Sequence, residues 1–79
     1  MSKLILEPVL VVMDRQKPVK FFWERRWVYA EKVTDRWRAT GQWWMGEAEK
    51  TFFRVQSREG RLYEIYTDGK GWRLYRVYD

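Results

Sequence analysis

Thr51-Phe52-Phe53-Arg54-Val55-Gln56, Arg61-Leu62-Tyr63-Glu64-Ile65-Tyr66-Thr67 and Trp72-Arg73-Leu74-Tyr75-Arg76-Val77-Tyr78 follow one another with two short interruptions. Large side chains fall on both parities of each run, and charged residues interleave with them. That is the period of two a strand imposes, because successive Cβ atoms point to opposite faces. The interruptions are Arg58-Glu59-Gly60 and Asp68-Gly69-Lys70-Gly71. Glycine at both corners permits the positive φ that tight hairpins require. Three antiparallel strands therefore end the chain. Their inner face is read as Phe53, Val55, Tyr63, Ile65, Trp72 and Leu74, and their outer face as Phe52, Arg54, Arg61, Tyr66, Arg73 and Tyr75. In the last strand Trp72 and Leu74 oppose Tyr75 and Val77 in parity, so either pair fits the core.

The same pattern extends upstream. Pro8 to Met13 is rich in Val and reads as a first strand, closed by the polar run Asp14-Arg15-Gln16-Lys17-Pro18. Val19 to Trp23 reads as a second, with Val19, Phe21 and Trp23 on one face and Lys20 and Phe22 on the other. Glu24-Arg25-Arg26 makes a tight connection into a third strand. There Trp27, Tyr29 and Val33 share parity, and the charged Glu31 between them signals a bend or bulge. Val33 to Arg38 fits either an extension of that strand or a short helical turn. Gln42-Trp43-Trp44-Met45, between Gly41 and Gly46, has the length of a short strand or an ordered loop.

No run reads as a helix of ten residues, and there is no repeat, linker or low-complexity segment. The expectation is one all-β domain over residues 1–79. It is a small antiparallel meander of five or six strands, either a curved sheet or an SH3-like barrel, since closure removes exposed edges. A chain of 79 residues buries only about 60–65% of its unfolded surface. Six Trp, five Tyr and four Phe supply the density a short chain needs.

Chemistry is constrained by what is missing. The chain has no His and no Cys, which removes the commonest general base, the strongest side-chain nucleophile, disulfides and thiolate metal sites. No glycine-rich phosphate loop occurs, and Asp68-Gly69-Lys70-Gly71 is better explained as a turn. The carboxylate pairs Glu47/Glu49 and Glu31/Asp35 read as solvated charge, because acids are rarely buried. A non-catalytic protein without cofactor or metal is expected. The apolar N-terminal segment is short, is interrupted by Glu7 and Pro8, and carries no cleavage site, so no membrane association and a cytoplasmic address are expected.

Binding is the remaining class. The net charge is +5, and the excess is concentrated in residues 1–40, which hold nine basic against five acidic groups. Basic small domains meet nucleic acid or anionic surfaces, although charge also serves solubility. Rings alternating with arginines suit single-stranded nucleic acid, where bases stack and cations neutralise phosphate. The same alternation arises when Arg stems merely cover aromatic faces. Arg36-Trp37-Arg38 with Trp43-Trp44 form a second candidate surface, since adjacent Trp residues in an extended segment cannot both enter one core. A loop folded over a barrel end would bury both.

The residues from Pro8 to the C-terminus resemble an uncharacterised bacterial domain family. The likeness rests on Pro18 with Phe21-x-Trp23, Arg26-Trp27-x-Tyr29, Val33, and Trp37-x-x-x-Gly41-x-Trp43-Trp44. It continues through Phe53-Arg54-Val55, Gly60-x-x-Tyr63-Glu64-Ile65-Tyr66, and Trp72-x-Leu74-x-x-Val77-x-Asp79. The family occurs as small standalone proteins and as a C-terminal extension of catalytically inactive Y-family DNA-polymerase relatives of the mutagenic repair system. The resemblance implies DNA or a DNA-handling protein as partner and carries no catalytic set. Some relatives have His before the central Trp where this chain has Arg36, so a role resting on that His does not transfer.

Two functions are therefore expected in competition. The first is a nucleic-acid-associated module using Lys20, Arg25, Arg26, Arg36 and Arg38 on phosphates and Trp37, Trp43 or Trp44 on bases. The second is a protein-interaction adaptor or self-associating domain. The oligomeric state is left open.

Overall fold

The computed structural model describes residues 2–39 and 49–78. Six strands are present among them: β1 (Ser2–Asp14), β2 (Lys17–Trp23), β3 (Arg26–Ala39), β4 (Lys50–Ser57), β5 (Leu62–Thr67) and β6 (Trp72–Tyr78). They form an antiparallel meander that closes into a barrel when β6 pairs back onto β1. The barrel alternative of the sequence reading is the one realised. Among the described residues no helix is long and apolar enough to cross a membrane.

Closure depends on two long strands that each serve two neighbours. β1 pairs with β6 through Ser2–Val9 and with β2 through Leu10–Asp14. β3 pairs with β2 through Arg26–Tyr29 and with β4 through Ala30–Ala39. The first strand thus begins at Ser2 rather than Pro8, because Ser2, Lys3 and Leu4 find partners in Tyr78, Val77 and Arg76. The stretch Val33–Arg38 continues β3 and is not helical.

Bulges decide which side chains enter the core. In β3 the pairing steps from Ala30↔Ser57 to Lys32↔Gln56, so Glu31 is the extra residue. A bulged residue shifts the parity of everything after it. Val28 is buried while Tyr29 is exposed, yet Val33 packs on the core. The shared parity of Trp27, Tyr29 and Val33 therefore does not put them on one face. In β6, Ile65 pairs with Leu74 and Glu64 with Arg76, leaving Tyr75 unmatched. That bulge resolves the parity conflict of the last strand: Leu74 and Val77 are both buried, and Trp72 packs beside them.

The core consists of Phe21, Val28, Phe53, Val55, Tyr63, Ile65, Leu74 and Val77. Phe21 meets the Tyr63 ring edge-on at 5.1 Å, a favoured aromatic arrangement.

Two hairpins are unusual. Residues 14–17 and 23–26 close two-residue loops whose central residues, Arg15, Gln16, Glu24 and Arg25, all have positive φ between 53 and 66°. This is the mirror-image turn that matches strand twist. Non-glycine residues there cost on the order of 1 kcal/mol each. The β5–β6 turn is relaxed by contrast: Gly69 takes the positive φ of 92°, and the Asp68 carboxylate accepts from the Lys70 and Gly71 amides at 2.9 and 3.2 Å. The Lys70 amide is the main reason the Asp68 carboxyl lies below its ordinary 3.8. A lowered pKa contributes stability above the unfolded value and loses it as pH falls. Hydrogen exchange at the Lys70 and Gly71 amides is therefore expected to lose protection below about pH 4 before the core strands do.

Candidate functional site

The outside of the barrel has two aromatic surfaces, and they are built differently. On β3 to β6, Phe52 and Tyr66 point outward yet are only 8% exposed. Neighbouring rings cover them. Trp37 stacks on Phe52 at 5.3 Å with planes 4° apart, Tyr66 tilts against it at 5.1 Å, and Tyr75 meets it edge-on at 5.2 Å. The Arg54 guanidinium lies 5.6 Å from both the Trp37 and the Tyr78 rings.

This surface also holds a buried carboxylate. Glu64 is 3% exposed and accepts from Arg54 Nε and Nη2 at 3.2 and 2.9 Å. The Tyr78 hydroxyl donates to the same oxygen at 2.5 Å. That hydrogen bond, followed by burial and the Glu64 charge, raises the Tyr78 hydroxyl above its ordinary 10.0. Its bond to Glu64 likewise raises the Arg54 guanidinium. The rings and charges here satisfy one another. The arginines cover aromatic faces, the structural alternative weighed for this alternation, and the surface acts as an external second core.

The outer face of β1, β2 and β3 has no such cover. Its first cross-strand row is Leu10–Phe22–Trp27 and its second is Val12–Lys20–Tyr29. The opposite face of the same strands carries Val11–Phe21–Val28, which enters the core. Leu10 is 68% exposed, Tyr29 43% and Phe22 36%. Phe22 touches Trp27 edge-on at 5.3 Å. Lys20 Nζ sits 4.6 Å from the Trp27 ring centre and 5.6 Å from that of Tyr29. Arg58 reaches Tyr29 from the far side at 4.8 Å.

Both ends of this face are basic. At one end are Arg25 and Arg26, in and after the β2–β3 turn, with Arg26 paired to exposed Glu59 at 3.3 Å. At the other are Arg15 and Lys17, around the β1–β2 turn. Three aromatic rings among basic groups on an open sheet can stack planar groups and attract anions.

The structure gathers only part of the sequence-predicted set. Lys20, Arg25 and Arg26 lie on or beside the open face. Arg36 and Arg38 lie ten or more residues further along β3, an extended span of roughly 33 Å or more before its bulges are allowed for. Arg38 pairs there with Glu49 at 3.8 Å, and the Arg36 guanidinium lies 5.9 Å from the Phe53 ring. Trp37 is half-buried in the external aromatic layer. Trp43 and Trp44, with the strand-or-loop reading of 42–45 and the Glu47/Glu49 pair, fall wholly or partly outside the described residues. Among the described residues no three acidic side chains gather to hold a metal ion.

Phe22, Trp27, Tyr29 and Arg58 were missed as site residues. Their signal was present in the alternation Lys20-Phe21-Phe22 and Trp27-Val28-Tyr29. It becomes readable only once Phe21 and Val28 are known to be the inward residues.

The chain belongs to the family described as a domain of unknown function (DUF6504), whose family model matches residues 1–79. No curated protein and no solved structure matches the chain.

Proposed function

We propose that this domain is a non-catalytic module that binds single-stranded nucleic acid on the outer face of β1, β2 and β3. The observation that carries the reading is the cluster of Phe22, Trp27 and Tyr29 around Lys20, with Arg58 beside it and basic turns at both ends. Base stacking on an exposed ring contributes about 1–3 kcal/mol and tolerates any sequence. The surrounding cations supply the salt-dependent attraction to phosphate. Resemblance to the extensions of inactive Y-family polymerase relatives favours DNA, in the setting of damage tolerance. A cytoplasmic location is consistent with that role.

Titration of labelled single- and double-stranded DNA at two salt concentrations tests this reading. Binding tighter than about 10⁻⁴ M at low salt, weakening as salt rises, is expected. Phe22→Ala and Trp27→Ala are each expected to weaken single-strand binding by about fivefold to 150-fold. Trp37→Ala, on the other surface, is expected to leave it within about twofold. Affinity without a salt slope, or equal sensitivity to Trp37→Ala, would rule the reading out.

One observation supports a second reading. Leu10, Val12 and Met13 are exposed aliphatic side chains on or beside the same face, and such side chains suit a protein partner better than a phosphate chain. A sedimentation mass that rises with concentration and is reset by Leu10→Lys would favour self-association instead.

A further inference from the structure

The two hairpins that bound the open face keep left-handed backbone at four non-glycine residues, although the chain places glycine at positive φ in its other two turns, at Gly60 and Gly69. Glycine or asparagine would fit all four positions without strain, and the chain contains no Asn at all. Each strained turn carries an arginine at its tip, Arg15 in one and Arg25 in the other. Both arginines are exposed, and neither forms an ion pair among the described residues.

Their placement is as informative as their strain. The turns lie at opposite ends of β2, whose seven residues span roughly 20 Å. Between the tips come Lys17, Lys20 and the two cross-strand rows with their three rings. Cations thus stand at both ends and in the middle of an aromatic track. Backbone strain persists where the surrounding structure enforces it and is concentrated at functional positions.

We propose that Arg15 and Arg25 are phosphate contacts at the two ends of this track, so that the nucleic-acid strand runs along β2. This rests on the single-strand reading above and adds the direction, the length and the terminal contacts. The strand covers about four nucleotides, the lower end of the range for stacking β-domains. Arg15, Lys17, Lys20 and Arg25 are four phosphate contacts, for which log K against log salt has a slope of about −3. The strained turns persist because the unstrained residues are uncharged.

The test is fluorescence anisotropy of labelled oligothymidylate across a salt series, paired with thermal unfolding, on the wild type, Arg15→Gly, Arg25→Gly and Gln16→Gly. Each arginine variant is expected to reduce the slope by about 0.7 and to bind about eightfold more weakly at about 50 mM salt. Each is also expected to melt higher by roughly 4 °C, a modest gain because glycine frees the unfolded chain as well. Gln16→Gly relieves the same turn without changing charge, so its melting point is expected to rise while its slope stays at the wild-type value. An unchanged slope in both arginine variants overturns the end-contact proposal and leaves the single-strand reading standing. A wild type that binds no oligothymidylate overturns that reading itself.

Discussion

Replacing Phe21 by alanine is expected to remove about 3–5 kcal/mol of folding stability, whereas the same substitution at its neighbour Phe22 costs about 1 kcal/mol. Phe21 is fully buried and its ring edge contacts Tyr63. Truncation leaves a cavity that a closed barrel cannot collapse around. Phe22 lies on the opposite face, 36% exposed, with an edge contact to Trp27. A domain of this length is stable by only about 4–12 kcal/mol, so Phe21→Ala removes a large share of the total. Urea unfolding of both variants measures the difference. Equal losses would mean that the Leu10–Phe22–Trp27 row is not an outer row, and the binding face would fall with it.

Arg54→Ala is expected to cost about 2–3 kcal/mol through the buried carboxylate it leaves behind. Removing one partner of a fully buried pair costs about 3–5 kcal/mol. The figure is reduced here because about a third of the Arg54 side chain is exposed and because Tyr78 still donates to Glu64. Tyr78→Phe is expected to cost about 1.5 kcal/mol, the low end for a hydrogen bond to a charged group. The network also sets an alkaline limit. Tyr78 is raised in the folded state, so its contribution is complete below the unfolded value near 10 and is lost as pH rises through the folded one. Urea midpoints at about pH 9 and pH 11 should therefore fall less in Tyr78→Phe than in the wild type. An identical fall in both proteins would show that the Tyr78–Glu64 hydrogen bond contributes nothing to the alkaline limit.

Much of the architecture was legible because its signals are local. Alternation in residues 51–78 and glycine at the corners specified the last three strands, and Glu31 marked a bulge that the β3–β4 register contains. The candidate site was less legible. Arg36 and Arg38 look adjacent to Arg25 and Arg26 as a basic cluster in sequence, but an extended strand moves them to its other end. Trp37 looks like an exposed anchor until Phe52 is found beneath it. Phe52 and Tyr66 point away from the barrel interior and are buried all the same, because other outward rings lie over them.

Period-two patterning, turn chemistry and the lack of His and Cys by themselves determined an all-β meander and the kinds of side chain available to it. A strand has two faces, and its own residues do not say which is interior, so the choice between Phe21 and Phe22, or between Val28 and its flanking rings, waited for the partner strands. The bulges at Glu31 and Tyr75 acted the same way, since an extra residue exists only relative to the strand opposite. Closure of β6 onto β1 completed the decision by enclosing one face of every strand and leaving Phe22, Trp27 and Tyr29 on the outside.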